Sequence, residues 1–350
     1  MHRSSGITCV LLIGLAAASG TALAHPAAGA QVCTLGAPAV GQPGAIVCKD
    51  VRTGATTQQI TVGNIVVGPG GTGGTLSHHR DDVLVTNVAG GAVLYEEVAG
   101  RLVHPVRLQT GGEDSLSGAI GERGAYVVTP TRVVFFPRGH SAAASSARLR
   151  IGDGSAAQIA LAGGHAYVSE KTGSLEAFAL RDDGNLDGPA VAVAGIPAGT
   201  IVGITGAEDL VVSPVAHLAS NANQATVSVS SGATRVQQVE TKEVAACWAA
   251  SDDGEVCITN PGSMTVSCGH VGPGGFTSYT SAAASPIGES VLDLDLRHGM
   301  VGILGTHGGA RVLMVYARAE ADSDFLTAMT ELPVGTAIAA GALILPPLSR

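Results

Sequence analysis

The stretch AQIALAGGHAYVSEKTGSLEAFALRDDGNLDGPAVAVA, residues 157–194, contains one complete structural repeat. Short runs of apolar and β-branched residues alternate in it with turns rich in Gly, Asp and Asn. This pattern is typical of strands joined as hairpins, and it lacks helical periodicity. The stretch therefore predicts four strands, at residues 157–161, 165–169, 174–180 and 189–194.

The end of the second strand recurs along the chain as two or three apolar or small residues before a polar turn. The recurrences lie 40 to 46 residues apart and end at Asn87, Pro130, Glu170, Pro214, Asn260 and Thr306. A weaker seventh lies near Cys48. Units of this length with several strands are typical of propeller blades. We predict an all-β, seven-bladed β-propeller with four-stranded blades, in which a strand at 337–345 completes the first blade and closes the ring.

The N-terminus resembles a secretory signal peptide. A basic start is followed by an apolar run over residues 7–18 and by the small-residue cleavage pattern Ala22-Leu23-Ala24. We therefore predict a signal peptide at residues 1–24, a single propeller domain at 25–350 and secretion to the extracellular space.

Composition excludes several classes of partner. The chain has 350 residues, 13% of them charged, 45% hydrophobic and 3% aromatic, with a formal net charge of -9. The apolar content indicates a packed core, and no run in the mature chain is long enough to span a membrane. Because a negative net charge repels phosphates, we expect neither nucleic acid nor an anionic membrane as a partner. We expect a monomer.

Five cysteines follow the predicted signal peptide. Cys33 and Cys48 are predicted to close a small loop in an oxidising compartment. Cys257 has two alternative partners, Cys247 and Cys268, because each pair is symmetric about a turn and would face across a hairpin. The sequence leaves this choice open and predicts that the remaining thiol is buried and inert.

Several short motifs resemble the lactonase-type seven-bladed propellers, a family that contains 6-phosphogluconolactonases and 3-carboxymuconate cyclases. The resemblance spans roughly residues 60 to 345, and its motifs begin at Ala157 (Ala-Gln-Ile-Ala), Val168 (Val-Ser-Glu-Lys), Gly184 (Gly-Asn-Leu), Ala246 (Ala-Cys-Trp) and Ile258 (Ile-Thr-Asn-Pro-Gly-Ser). It implies that a sugar-acid or muconate lactone, a small anionic substrate, is hydrolysed or formed at the channel mouth without a metal. The chain departs from the family at Pro214, where a Glu is usual.

Propeller geometry predicts which residues share that mouth. The start of each innermost strand and the loops between second and third strands lie on one face. Gln158, Glu170, Lys171, His217 and His307 are therefore candidate catalytic residues. Glu170 would activate water as a base, Lys171 would stabilise the oxyanion, and either His would act as a base near neutral pH.

Two other charged motifs are candidates. Arg80 and Arg132 could bind a substrate carboxylate bidentately. Residues 78–82, His-His-Arg-Asp-Asp, are predicted to form a charged hairpin turn.

A metal-dependent gluconolactonase propeller is an alternative in which Asn87, Glu170 and Asn260 surround a divalent cation. These residues end second strands, which stand about 5 Å outside the innermost strand. We therefore expect no metal and no cofactor. A non-catalytic extracellular binding or interaction protein that retains the scaffold is the alternative function.

Overall fold

A computed structural model describes residues 29–66, 75–216, 225–241, 243–281, 289–318 and 326–347. The predicted signal peptide and His217 lie outside these residues. In the described ranges the chain forms 28 strands and no helix, so no helix there is suited to crossing a membrane.

The strands follow one another as antiparallel hairpins. The first seven are β1 (Gln31–Ala37), β2 (Pro43–Asp50), β3 (Thr56–Asn64), β4 (Leu76–His79), β5 (Asp82–Val88), β6 (Gly91–Val98) and β7 (Arg101–Gln109). The next eight are β8 (Ser117–Gly121), β9 (Gly124–Val128), β10 (Arg132–Pro137), β11 (Ser145–Arg148), β12 (Ala156–Ala162), β13 (His165–Glu170), β14 (Ser174–Leu180) and β15 (Leu186–Ala192).

The second half repeats the arrangement. Its strands are β16 (Thr205–Ala207), β17 (Leu210–Ala216), β18 (Ala225–Ser231), β19 (Thr234–Glu240), β20 (Ala249–Asp252), β21 (Glu255–Asn260), β22 (Thr265–Gly272) and β23 (Gly275–Ser281). The last five are β24 (Ser290–Arg297), β25 (Met300–His307), β26 (Ala310–Arg318), β27 (Leu326–Pro333) and β28 (Ile338–Leu345).

These strands form seven four-stranded sheets, which confirms the predicted seven-bladed propeller. Six blades are consecutive in sequence, and the seventh has the order β28-β1-β2-β3. The C-terminal strand therefore pairs with the N-terminal one and closes the ring, as predicted. The fourth strand of the 157–194 repeat begins at Leu186, earlier than predicted, because the turn before it is closed by the bond from Arg181 N to Asn185 O (2.9 Å).

The core is divided among the contacts between blades. Seven apolar clusters occur among the described residues, and each joins two neighbouring blades. Side chains alternate along a strand, so Val83 and Val85 face one neighbour while Leu84 faces the other. Both faces of a blade are buried, and its inner strands therefore read as continuous apolar runs.

Side-chain hydrogen bonds also link the innermost strands. An innermost strand has no partner on its channel side, which leaves backbone groups to be satisfied there. Ser117 Oγ accepts a bond from Ile159 N (3.3 Å), and Gln158 Oε1 accepts one from Ile204 N (2.9 Å). These two bonds tie together three consecutive blades, those that begin with β8, β12 and β16.

Both disulfides lie across adjacent strands. Cys33–Cys48 joins β1 to β2, as predicted, and Cys257–Cys268 joins β21 to β22. The second bond resolves the alternative that the sequence left open. Cys247 is the free cysteine of the described residues. Burial, together with the charge of Asp293, raises the pKa of the Cys247 thiol.

Candidate functional site

A cavity of about 650 Å³ occupies the axial channel. Its wall is formed by six innermost strands, β4, β8, β12, β16, β20 and β24. It extends from Gln158 and Ile204 to the turns that follow β4, β16 and β20. A concave, partly polar space of this volume is suited to a small molecule.

One wall of the cavity carries two carboxylates from β24. Asp293 and Asp295 lie two residues apart and therefore on the same face of the strand, while Leu294 and Leu296 pack into an apolar cluster between blades. Both acids are more than nine-tenths buried. Asp293 Oδ1 accepts a hydrogen bond from Leu294 N (2.9 Å). Burial raises the pKa of Asp293 to about 8, and the neighbouring charge of Asp295 raises it in the same direction.

A histidine faces the second of these acids. His78 Nε2 lies 3.4 Å from Asp295 Oδ1, and the two side chains are only 18% and 12% exposed. The other oxygen, Asp295 Oδ2, accepts a bond from Ile344 N (2.7 Å) on β28. Asp295 is thereby held between two blades and directed at the imidazole. The wall thus combines an acid with a raised pKa and a carboxylate–histidine pair.

The predicted pair Glu170 and Lys171 does not line this cavity. Glu170 is fully buried at the end of β13; its Oε2 accepts a bond from Ser155 Oγ (2.6 Å), and its Oε1 has no hydrogen-bond partner. Burial raises the pKa of Glu170 to about 7, and the charges of Glu176 and Asp153 add to this rise. Burial lowers the pKa of the Lys171 ammonium.

The other predicted residues are dispersed. Gln158 lines the cavity, but its Oε1 is bonded to the backbone of Ile204 in the next blade. His307 is the last residue of β25, three blades away from Glu170; its side chain is 57% exposed and contacts Glu331 Oε2 through Nδ1 (2.7 Å). The hydrogen bond to Glu331 raises the pKa of His307. The structure therefore brings together Glu170 and Lys171 but not His307, and of the predicted residues that it describes only Gln158 lines the cavity.

The two arginines considered for a substrate carboxylate bind acids of the protein itself. Arg80 Nη2 lies 2.5 Å from Glu122 Oε1, and Arg132 bonds to Glu113 through Nε (2.8 Å) and Nη2. Arg80 does line the cavity, at the turn after β4.

The residues of the alternative metal hypothesis lie in three different blades. Asn260 Nδ2 donates a hydrogen bond to Ser267 Oγ (2.9 Å) in the same blade. The carboxylate of Glu170 likewise accepts its hydrogen bond from Ser155, within its own blade. Among the described residues, Glu255, Cys257 and Cys268 form the one group with metal-like spacing, and its cysteines are joined as a disulfide. This arrangement does not favour a metal centre.

Sequence reasoning missed His78, Asp293 and Asp295. The turn interpreted at 78–82 is present, but His78 lies in β4 and faces the channel. For β24, the alternation Asp-Leu-Asp-Leu-Arg over 293–297 was an available signal, because one face of an innermost strand lines the channel. The pairing of His78 with Asp295 had no local signal, since it depends on closure of the ring.

No family model and no curated protein matches the chain. Solved structures share its fold at low identity. A functionally unknown protein from Desulfotomaculum acetoxidans superposes with a TM-score of 0.63 at 15% identity, covering 91% of this chain and 99% of that one. Candidate 6-phosphogluconolactonases from Bacteroides fragilis and Bacteroides uniformis superpose with TM-scores of 0.59 and 0.58, both at 12% identity and covering 90% of this chain and 98% and 99% of theirs. These likenesses show the fold alone.

Proposed function

We propose that the protein is an exported, single-domain, lactonase-like propeller that hydrolyses a small lactone in its axial channel without a metal. The observation that carries the proposal is the wall formed by His78, Asp295 and Asp293 inside the 650 Å³ cavity. The fold shared with candidate 6-phosphogluconolactonases supports the same class of reaction. The two disulfides support an oxidising, extracellular location.

The carboxylate–histidine pair supplies the base. With Nε2 directed at Asp295, the imidazole of His78 is oriented and its Nδ1 is the nitrogen left to accept a proton from water. The water oxygen then bonds to the lactone carbonyl carbon. A base held in this way contributes typically 10²- to 10⁴-fold to the rate.

The neighbouring acid supplies the proton that ring opening requires. Because the pKa of Asp293 is raised to about 8, its side chain is a neutral carboxylic acid at pH 7. As the ring C–O bond breaks, the leaving oxygen takes the proton of Asp293. The product is a hydroxy acid. The proton held by His78 then returns to Asp293 through solvent, which restores the protonation states that both residues had before the reaction.

The test is a pH-monitored hydrolysis assay on glucono-, 6-phosphoglucono- and muconolactones. We expect His78→Gln and Asp295→Asn to lower kcat/KM by about 10²-fold or more. His104→Gln is the matched control, since His104 contacts Glu96 (2.8 Å) in an exposed pair outside the channel. No hydrolysis above background by the unaltered protein overturns the proposal.

Glu170→Gln in the same assay tests the catalytic residues that the sequence predicts at the face of the second-to-third-strand loops. The catalytic roles of Glu170, Lys171, Gln158, His217 and His307 remain part of the proposal at that face. A loss of about 10²-fold in Glu170→Gln with unchanged activity in His78→Gln would move the chemistry from the channel wall to that loop.

A second candidate is a non-catalytic extracellular binding protein. Two observations favour it: Pro214 stands where the resembling family usually has a Glu, and Gln158 and Glu170 are both engaged in internal hydrogen bonds. Saturable binding of a lactone or its hydroxy acid without turnover, measured by calorimetry, would favour this candidate over the hydrolase.

A further inference from the structure

The cavity is lined by an excess of carboxylates. Glu208, Asp252 and Asp253 lie at the turns that end β16 and β20, and Asp293 and Asp295 lie deeper on β24. In the part of the chain that the structure describes, none of the five forms an ion pair with Lys or Arg. The contact between Asp295 and His78 is the one ion pair they make there.

The nearby arginines do not offset this charge. Arg80, on the cavity wall, is bonded to Glu122. Arg297, on the same strand as the two deep acids, donates to the carbonyl oxygens of Ile344 and Arg80 (both 3.2 Å) and lies 3.4 Å from Glu97 Oε2. Neither guanidinium is directed into the channel, so the ionised carboxylates among the lining residues leave an excess of negative charge there.

Four of these five groups, Glu208, Asp252, Asp253 and Asp295, act as acceptors at pH 7, whereas Asp293, whose pKa burial raises to about 8, keeps its proton. An ionised carboxylate offers two oxygens and no donor. Asp253 and Glu208 are exposed at a second mouth of the channel, which is formed by the turns between first and second strands and lies opposite to the face of Glu170. Asp252 Oδ2 accepts a hydrogen bond from His298 N (2.8 Å). A wall rich in acceptors complements a ligand rich in hydroxyl donors.

We infer that the channel selects an uncharged, hydroxyl-bearing lactone over an anionic one, which differs from the anionic substrate that the sequence resemblance implies. This inference rests on the proposed hydrolysis for its assay. Hydroxyl groups of such a ring donate to the carboxylates at the mouth, while a phosphate or carboxylate on the ring meets like charges in a low-dielectric channel.

The experiment compares two lactones that differ in one phosphate. Glucono-δ-lactone is uncharged, and 6-phosphoglucono-δ-lactone has the same ring. At low salt we expect kcat/KM to be at least about 10-fold higher for the uncharged ring, because like charges a few ångströms apart repel each other strongly in a partly buried channel. The ratio should fall toward one in 0.5 M salt, since salt screens charges at the open mouth.

Variants attribute the discrimination to the channel. We expect Asp253→Asn to narrow the ratio severalfold by removing one charge at the mouth. Asp182→Asn is the matched control, because it removes the same charge from an exposed turn on an outer part of the ring. A preference for the phosphorylated ring, or a ratio that neither salt nor Asp253→Asn alters, would overturn the inference.

Failure of the proposed function is separable from failure of this inference. If neither lactone is hydrolysed, the reaction is wrong, and calorimetry with glucose and glucose 6-phosphate as stable analogues then tests the charge selectivity. Binding of glucose at least about 10-fold tighter than of its phosphate would support the inference without the reaction. Equal affinities, or no binding of either sugar, would overturn it.

Discussion

At the scale of single residues, Glu170 is a fully buried carboxylate with one satisfied oxygen. Ser155 Oγ donates to Oε2, and Oε1 has no partner. Its pKa is raised from 4.5 to about 7, first by burial and then by the charges of Glu176 and Asp153. The folded chain therefore holds a proton that the unfolded chain releases between these two pH values.

This difference predicts the pH dependence of stability. Because the folded state binds more protons between pH 4.5 and 7, the free energy of unfolding decreases as pH rises through that window and is level above it. The decrease attributable to Glu170 is up to about 3 kcal/mol. Glu170→Gln keeps an acceptor for Ser155 and should flatten the curve, measured by urea denaturation at pH 4.5, 6 and 8.

A second variant tests the cause. The hydrogen bond from Ser155 lowers the pKa of Glu170, so Ser155→Ala should extend the window above pH 7. If the free energy of unfolding fell equally steeply with pH in the unaltered protein and in Glu170→Gln, the pH dependence would not come from Glu170.

Asp293 should make stability depend on pH over a wider pH range than Glu170 does. Its pKa is raised from 3.8 to about 8, chiefly by burial. Stability should decrease from pH 4 to 8, and Asp293→Asn should remove this contribution, so that the variant is the more stable protein at pH 8. Thermal denaturation at both pH values measures the effect. A variant that is less stable than the unaltered chain at pH 8 would show that the carboxylate is not penalised by burial.

At the scale of elements, the strands could be predicted because each is determined locally. The second strand of the 157–194 repeat has the consecutive apolar residues 166–168 and is bounded by Gly163-Gly164 and by Thr172-Gly173, and it folds as β13. The motif at Gly184 likewise has a local explanation. Its backbone has φ of 88°, its carbonyl oxygen accepts from Tyr126 Oη (2.6 Å), and a Cβ there would lie 2.6 Å from Phe135.

The candidate site could not be predicted in the same way. His78 and Asp295 meet although more than 200 residues separate them, because their innermost strands flank β28 in the closed ring. Position in a second-to-third-strand loop identified Glu170 and His307, but loop position does not determine the direction of a side chain. His307 faces Glu331 on the outermost strand, and Glu170 faces Ser155.

The disulfide between β1 and β2 gives a prediction at this scale. Cys33–Cys48 has a sequence separation of 15 and staples the blade that β28 completes. A loop of this length restricts the unfolded chain by about 3 kcal/mol. Cys33→Ala with Cys48→Ala should lower the free energy of unfolding by about that amount, measured by guanidinium denaturation.

Cys247→Ala is the control for that measurement. Cys247 is a free thiol and closes no loop, so its replacement changes only local packing. We expect a loss below about 1.5 kcal/mol. An equal loss in the control and in the double variant would contradict a role for the disulfide as a crosslink.

At the scale of the whole molecule, ring closure gives every blade an apolar contact with a neighbour on both of its faces. The two chain ends meet in one sheet, through the pairing of β28 with β1. Arg297 reinforces that seam from the preceding blade, because it bonds to Ile344 O on β28 and to Arg80 O in the following blade, next to Glu97. One side chain therefore joins three blades.

This arrangement makes Arg297→Met a test of closure. The ion pair with Glu97 is buried, with side chains only 10% and 6% exposed, and removing one partner leaves an uncompensated charge that costs about 3 to 5 kcal/mol. Arg181→Met is the matched control: the Arg181–Asp187 pair is 61% and 53% exposed, so its loss should cost below about 1 kcal/mol. Adding Glu97→Gln to Arg297→Met should restore part of the stability by removing the unpaired charge, as measured by chemical denaturation. If both arginine variants lose the same stability, or the double variant is the least stable, the buried pair does not hold the seam and closure depends on the β28–β1 hydrogen bonds.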